Sequence, residues 1–339
     1  MTPYTKTISR WFRAEGAKMN PYVGNAKQIR GCEKFARLEG KAAGMEFYRL
    51  RNGKGLEMEI SLSRNGDISS LSYKGMNLSY LSPCGYVGPA YYDDKGDGFL
   101  KSFTAGFLTT CGLTTFGSPS SDEGEELPLH GNIGNEPTSQ AFYEEKENEI
   151  VVKTLTRDER IFGRKLVLRR TIRLDLEENR FALEDTVSNE GDQPTPLMVL
   201  YHMNMGYPLL DEDSQFTCSY CSIQGRNEHA SRYIDSAFHM EKPQAGYQER
   251  CYYFPQKERG HASIYQPKLN VGLAMNFDAR ELPCLTEWKM MGIRDYVLGI
   301  EPGTNFPDGR KEVRAQGKLQ NLEPGESRTL HLEISIFEK

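Results

Sequence analysis

The chain has 339 residues, of which 38% are hydrophobic and 26% charged, and it carries a net charge of −5. That balance is ordinary for a water-exposed globular protein, and with no basic stripe it excludes nucleic acid as an expected partner. No apolar run approaches about 18 residues, so no membrane-spanning helix and no membrane partner are expected.

The N-terminus, MTPYTKTISRWFRAEGAK, is basic but has no apolar core segment, which argues against a secretory leader. Residues 1–18 are expected to be an upstream extension, disordered or at most one short amphipathic turn. Met19 opens a segment that reads as the start of the fold, so residues 19–339 are expected to form a single β-sandwich domain. The seven cysteines, Cys32, Cys84, Cys111, Cys218, Cys221, Cys251 and Cys284, are odd in number and scattered. They argue against a disulfide framework and for a reducing, cytoplasmic address.

Residues 26–40 are compatible with a short helix. Beyond them the dominant period is two. Leu56, Met58, Ile60 and Leu62 alternate with polar residues. So do Leu166, Leu168, Ile172 and Leu174, with Arg170 breaking the row, and Phe181, Leu183 and Val187 continue the pattern. Leu330, Leu332, Ile334 and Ile336 close the chain. Such alternation puts the apolar side chains on one face of each strand. Turn chemistry separates the runs at Arg64-Asn65-Gly66-Asp67, Asn189-Glu190-Gly191-Asp192, Pro302-Gly303 and Pro324-Gly325. The acidic stretch Gly117–Glu126 reads as a long solvated loop. No helical stripe of 12 or more residues is present, so the expected fold is all-β, a large antiparallel β-sandwich with minor helical turns.

Three stretches resemble neither strands nor routine turns. Gly106-Phe107-Leu108-Thr109-Thr110-Cys111-Gly112-Leu113 is followed by Asp122–Glu126 and Leu127-Pro128-Leu129-His130-Gly131. Tyr201-His202-Met203-Asn204-Met205-Gly206-Tyr207-Pro208-Leu209-Leu210 follows the apolar run Leu197–Leu200. Glu287-Trp288-Lys289 precedes Gly299-Ile300-Glu301-Pro302-Gly303-Thr304-Asn305. Each mixes Gly, a titratable group and amide or aromatic neighbours, as ligand sites do. His229, His239, His261 and His331 lack such surroundings and read as ordinary histidines.

Together these segments resemble the aldose 1-epimerase (galactose mutarotase-like) superfamily, most closely a little-characterised bacterial branch. Leu129-His130-Gly131 resembles its Leu-His-Gly segment. Tyr201-His202-Met203-Asn204 stands where it carries Asn-His-x-x-Phe, and Ile300-Glu301-Pro302 where it carries the C-terminal catalytic Glu. Near the first hairpin the branch often has Asp-Arg-x-x-Asp-Ile; here Ser63-Arg64-Asn65-Gly66-Asp67-Ile68 replaces the leading Asp by Ser. The likeness spans about Tyr22 to Glu338 and implies the superfamily's supersandwich.

What the resemblance implies for chemistry is mutarotation, the interconversion of α and β anomers of a monosaccharide, plain or modified. Glu301 would be the base at O1 and His202 the acid at the ring oxygen O5. His130 would hold a ring or hydroxyl oxygen. Arg64, Asn204, Lys289 and Asn305 are candidate hydroxyl ligands, and Trp288 a stacking platform. His202 and Glu301 should stand far enough apart to span O5 and O1. No cofactor and no metal are expected: there is no nucleotide fingerprint, no HExxH spacing for a His130–His202–Glu301 zinc set, and one Cys218-x-x-Cys221 pair is half a site. Two alternatives stay open, a keto-sugar isomerase or epimerase using the same pair, and a silent carbohydrate-binding protein on the same fold. Oligomeric state is not legible in the sequence, and a homodimer stays open.

Overall fold

The structure is a computed structural model describing residues 21–339; the expectation for residues 1–18 lies outside the described residues. Five strands come first: β1 (Gly31–Ala36), β2 (Glu46–Arg51), β3 (Leu56–Ser61), β4 (Asp67–Tyr73) and β5 (Met76–Asn77). They form one sheet in sequence order. The short strands β6 (Tyr80–Leu81) and β7 (Ala105–Gly106) pair with each other, and β8 (Leu108–Leu113) follows. Strands β9 (Ser120–Asp122) and β10 (Glu125–Leu127) make a hairpin.

Two large sheets use the remainder. Their strands are β11 (Gln140–Glu145), β12 (Glu149–Glu159), β13 (Lys165–Asp175), β14 (Arg180–Asn189), β15 (Thr195–Met205), β16 (Gln215–Cys218) and β17 (Gln224–Gly225). Then come β18 (Arg250–Pro255), β19 (Arg259–Gln266), β20 (Val271–Asp278), β21 (Cys284–Met291), β22 (Tyr296–Gly303), β23 (Gln320–Leu322) and β24 (Ser327–Phe337). The eight-stranded sheet has the order β11-β12-β13-β14-β24-β20-β19-β16. The seven-stranded sheet runs β17-β18-β21-β22-β15-β23, with β8 pairing along β15. The pairings in these sheets are antiparallel, as period-two patterning predicts. The described residues contain two short α-helices, α1 (Glu228–Arg232) and α2 (Arg310–Ala315).

The eight-stranded sheet alternates. On β13, Leu166, Leu168, Ile172 and Leu174 are buried while Arg169 is exposed. Its inner face joins apolar side chains of the seven-stranded sheet, such as Met203, Leu298 and Ile300, and of the first sheet, such as Leu56, Met58 and Ile60, in one core. The seven-stranded sheet differs. Strand β15 is buried at every position from Leu197 to Met205, so both of its faces are covered. A polar residue there cannot reach bulk water, and its placement needs a chemical reason.

Arg170 has such a reason. It is fully buried, in register with Asp185 of β14, and donates to both Asp185 oxygens at 2.9 and 2.7 Å. It also donates to Asp67 Oδ1 at 2.6 Å and Thr110 Oγ1 at 2.7 Å. The interruption of the apolar row is an ionic tie between the first sheet, β8 and the eight-stranded sheet.

Three local expectations are corrected. Residues 26–40 are not a helix but a short 3-10 turn, Ala26–Gln28, followed by β1. Pairing with β2 and stacking of Phe35 on Phe47 at 5.3 Å outweigh local helical preference. The stretch Gly117–Glu126 is not a plain loop: it contains the β9–β10 hairpin, in which Glu123, Gly124 and Glu126 are exposed while Asp122 is buried against Arg310 at 2.7 Å and Arg314 at 3.0 Å. Pro302-Gly303 is not a turn. It continues β22, pairing with Leu285 and Cys284 of β21, which places Glu301 inside a central strand.

Candidate functional site

Period two decides what faces the site. On β22, Gly299 and Glu301 share a face while Leu298 and Ile300 enter the core. On β21, Thr286 and Trp288 share a face, paired with Glu301 and Gly299. On β15, His202 lies one residue from the Met203–Ile300 pair. These side chains converge on the sheet face opposite the main core. They border a cavity of about 170 Å³, closed by Phe99, Leu100, Phe103, Leu129, His130, Arg226, Glu249, Cys251 and Pro307. The expected residues His130, His202, Glu301 and Trp288 are therefore brought together.

His202 sits in an aromatic box. Its ring centroid is 5.4 Å from that of His130, 5.2 Å from Phe103 and 5.2 Å from Trp288. Its Nε2 is 3.2 Å from Glu301 Oε1, yet that oxygen accepts no hydrogen bond. The expectation that the two groups stand apart is corrected: they touch. The cause is register, because cross-strand neighbours place their Cβ atoms only about 4.5–5.5 Å apart. Both groups are buried, and burial moves each toward its neutral form. The imidazole is held down at about 4, and the carboxyl stands well above its ordinary range. Neutral imidazole with carboxylic acid, and imidazolium with carboxylate, contain the same protons. A proton passing between the two groups therefore leaves the net charge of the pair unchanged.

The room for Glu301 comes from a missing side chain. A Cβ on Gly299 would lie 2.4 Å from Glu301 Oε1 and 3.0 Å from Trp288 Cβ. His130 is placed by strain. Its φ is +61°, in the left-handed region, which costs a non-glycine residue on the order of 1–3 kcal/mol. Hydrogen bonds from His130 N to Gly117 O and from Gly112 N to His130 O hold it there. Gly131 follows at φ +72°, where a Cβ would meet Gly112 O and Thr115 O at 2.4 Å. Burial, then the adjacent His202, keeps the His130 imidazole well below its usual pKa, so it is neutral and able to donate one hydrogen bond and accept another.

Four expected hydroxyl ligands lie elsewhere. Arg64 is buried and donates to the carbonyls of Gly134, Val87 and Ser102 and to Asn135 Oδ1, all within 3.0 Å. It clamps the segment carrying Phe103 rather than facing the cavity. Asn204 shares the His202 face of β15 but is buried outside the cavity lining, its Nδ2 donating to His202 O at 2.9 Å and its side chain acting on the His202 imidazole. Lys289 is one residue out of phase with Trp288; its Nζ reaches Ser236 O at 2.7 Å and His239 O on the opposite face. Asn305 is occupied by Thr304 Oγ1 at 2.9 Å. The likeness of Ser63–Ile68 to a family segment marks structure too, since Asp67 belongs to the Arg170 tie.

Other cavity residues carried no legible signal. Arg226 and Glu249 bracket a 22-residue excursion between β17 and β18, and Phe99 and Phe103 lie in and just after a 3-10 turn, Gly98–Lys101. Glu249 accepts from Trp288 Nε1 at 2.7 Å and so orients the indole. Cys111 belongs to an apolar cluster with Phe116, Met198 and Leu200, and burial holds its thiol well above the usual range. Among the described residues no group of three or more His, Cys, Asp or Glu side chains could hold a metal ion, and no helix is long and apolar enough to cross a membrane.

Comparison with known proteins bears on this arrangement. Among solved structures, a candidate aldose 1-epimerase from Klebsiella pneumoniae shares 26% identity, with a TM-score of 0.87 over 93% of this chain and 87% of that one. A galactose mutarotase-like protein from Clostridium acetobutylicum superimposes with a TM-score of 0.68 at 15% identity, over 92% of this chain and all of the other. Galactose 1-epimerase from Lactobacillus acidophilus gives 0.62 at 14% identity, over 91% and 99%. The fold is thus that of the galactose mutarotase-like β-sandwiches. No curated protein matches the sequence. Residues 42–336 match DUF4432, described as a domain of unknown function, and the chain belongs to that family.

Proposed function

We propose that this DUF4432 protein is a mutarotase, an isomerase of the aldose 1-epimerase type that interconverts the α and β anomers of a monosaccharide. The observation that carries the reading is the His202–Glu301 contact, 3.2 Å long, at the wall of a cavity shared with His130 and Trp288. Anomer exchange needs a base for the O1 proton and an acid for O5, both oxygens being bonded to C1. A touching pair with one transferable proton can serve both atoms once a sugar edge lies against it. Glu301 Oε1 lacks a hydrogen-bond donor. An O1–H group supplies one and favours the carboxylate, which sends the carboxyl proton to His202.

Glu301 then takes the O1 proton as the C1–O5 bond breaks, and His202 Nε2 delivers a proton to O5. The aldehyde turns about C1–C2, and the two groups act in reverse to close the ring on the other face. Each positioned proton transfer contributes roughly 10²–10⁴-fold. His130, neutral, holds a hydroxyl, and Trp288, fixed by Glu249, offers its face to the apolar side of the ring. The cavity size suits one sugar ring rather than a chain of them.

The test is saturation transfer between anomeric proton signals over a panel of aldoses. Accelerated exchange for at least one sugar is expected. Binding with no acceleration for any sugar would leave a silent binding protein, and solvent deuterium entering a carbon position would indicate keto-sugar chemistry instead.

A further inference from the structure

The cavity contains a cation that the proton transfers above do not use. Arg226 follows β17, and its backbone N–H donates to Cys251 O at 2.9 Å, which turns the side chain toward the cavity wall. The guanidinium donates to Ser118 Oγ at 2.7 Å and Cys251 Sγ at 3.9 Å, both uncharged acceptors. Glu249 and Glu301 also border the cavity and act on it through space, but neither forms an ion pair with it within 4.0 Å.

A partly buried charge is normally paired, and a guanidinium is shaped to hold an oxyanion with two parallel hydrogen bonds. The other groups leave that role open. Burial presses both His202 and Glu301 toward their neutral forms, and it keeps the His130 imidazole neutral. The Glu249 carboxylate lies exposed at the rim and takes the Trp288 indole N–H. Neutral sugar hydroxyls would satisfy donors of Arg226 but not its charge.

We infer that Arg226 receives an acidic substituent of the sugar, so that the substrate class is an aldose bearing a carboxylate or a phosphate. The inference rests on the mutarotase reading for its chemistry at C1. It adds that the ring is held at a second point by its negative group. Sequence patterning could not show this, because Arg226 stands in no motif and meets His202 and Glu301 only through the strand order.

The experiment compares wild type, Arg226→Met and Arg226→Lys on D-galacturonate, D-glucose 6-phosphate and D-galactose, by anomer-exchange NMR and by calorimetric binding. Wild type is expected to favour one of the acidic sugars over galactose by about 10–100-fold in kcat/KM, the worth of one charge-assisted hydrogen-bonded pair. The two acidic arms separate carboxylate from phosphate. Arg226→Met is expected to erase the preference mainly through KM, and Arg226→Lys to restore part of it, since Lys keeps the charge but not the fork. Equal or better use of galactose by wild type overturns the inference and leaves the mutarotase reading standing. So does a slowing of all sugars by one common factor in Arg226→Met. Should no sugar be turned over, the mutarotase reading fails. Binding then decides: acidic-sugar affinity lost in Arg226→Met keeps the anion site, and affinity equal in both proteins removes it.

Discussion

Two buried acid–base sets lie close together in this protein and could hardly be treated more differently. Around Arg170, each charged oxygen and guanidinium nitrogen has a partner. Asp185 takes two guanidinium bonds and the Tyr201 hydroxyl at 3.0 Å, and Asp67 takes Thr110 N and Oγ1 as well as Arg170. Around His202 the pattern reverses. Glu301 Oε1, Thr286 Oγ1 and His130 Nδ1 are buried with no hydrogen-bond partner. The first set is saturated and therefore structural. The second leaves polar atoms open beside a cavity, which is how a site keeps acceptors and donors available for a ligand. Tyr201 and His202, adjacent on β15, point to opposite faces and serve one set each.

The comparison can be broken most severely at Arg170. Arg170→Met leaves Asp67 and Asp185 buried and uncompensated, and a cost of about 3–5 kcal/mol is expected, read as a large fall in the denaturant midpoint. If that variant keeps wild-type stability, the saturated set is not what ties the sheets together. Glu301→Gln probes the other set. Its denaturant midpoint should be unchanged or raised, since it removes a buried acid with an unpaired oxygen, while anomer exchange falls roughly 10²–10⁴-fold. Near-wild-type exchange would remove Glu301 from the chemistry.

Smaller effects sharpen the contrast. Gly299→Ala pushes a methyl to within 2.4 Å of Glu301 Oε1. A loss of roughly 10–100-fold in kcat/KM is expected from displacing the carboxylate, with the fold retained by circular dichroism; unchanged kinetics would mean that the position of Glu301 is not critical. The smallest effect is in pH dependence. The folded-state pKa of Glu301 is raised above its ordinary 4.5, so its contribution to stability is fully present below about pH 4.5 and is lost as pH rises through the folded pKa. The stability of Glu301→Gln relative to wild type should therefore increase as pH rises above about 4.5. His202 has the opposite sign: depressed to about 4, it lowers stability as pH falls from 6.5 toward 4. Urea midpoints of the two proteins that run parallel across this range would contradict the buried, neutral state of Glu301.

Much of the fold was legible in the sequence. The rows at Leu56–Ile60, Leu166–Leu174, Phe181–Val187 and Leu330–Ile336 are strands with those residues inward, and Leu62 is buried just past its strand. Their alternation is a direct imprint of the pleat. The helix expected over 26–40 was not, because a short edge segment takes its conformation from the strand it pairs with. In the site, His130, His202, Glu301 and Trp288 stood out through unusual neighbours and family likeness. Arg226, Glu249, Phe99 and Phe103 did not, since loops and single short turns are too brief to show a period.

By itself the sequence determined that the chain forms antiparallel strands with one apolar face each, and it marked the polar residues that interrupt them. Only the tertiary structure decided what those interruptions do. Trp288 and Lys289 are adjacent and equally plausible as ligands, yet one borders the cavity and the other fastens a loop on the reverse face. Arg64 and Arg226 are both arginines near glycines, yet one is saturated by carbonyls and the other faces the cavity. The physical reason is that a period of two separates the faces of a strand without saying what covers either face. Register and strand order supply that, and they depend on contacts between segments far apart in the chain.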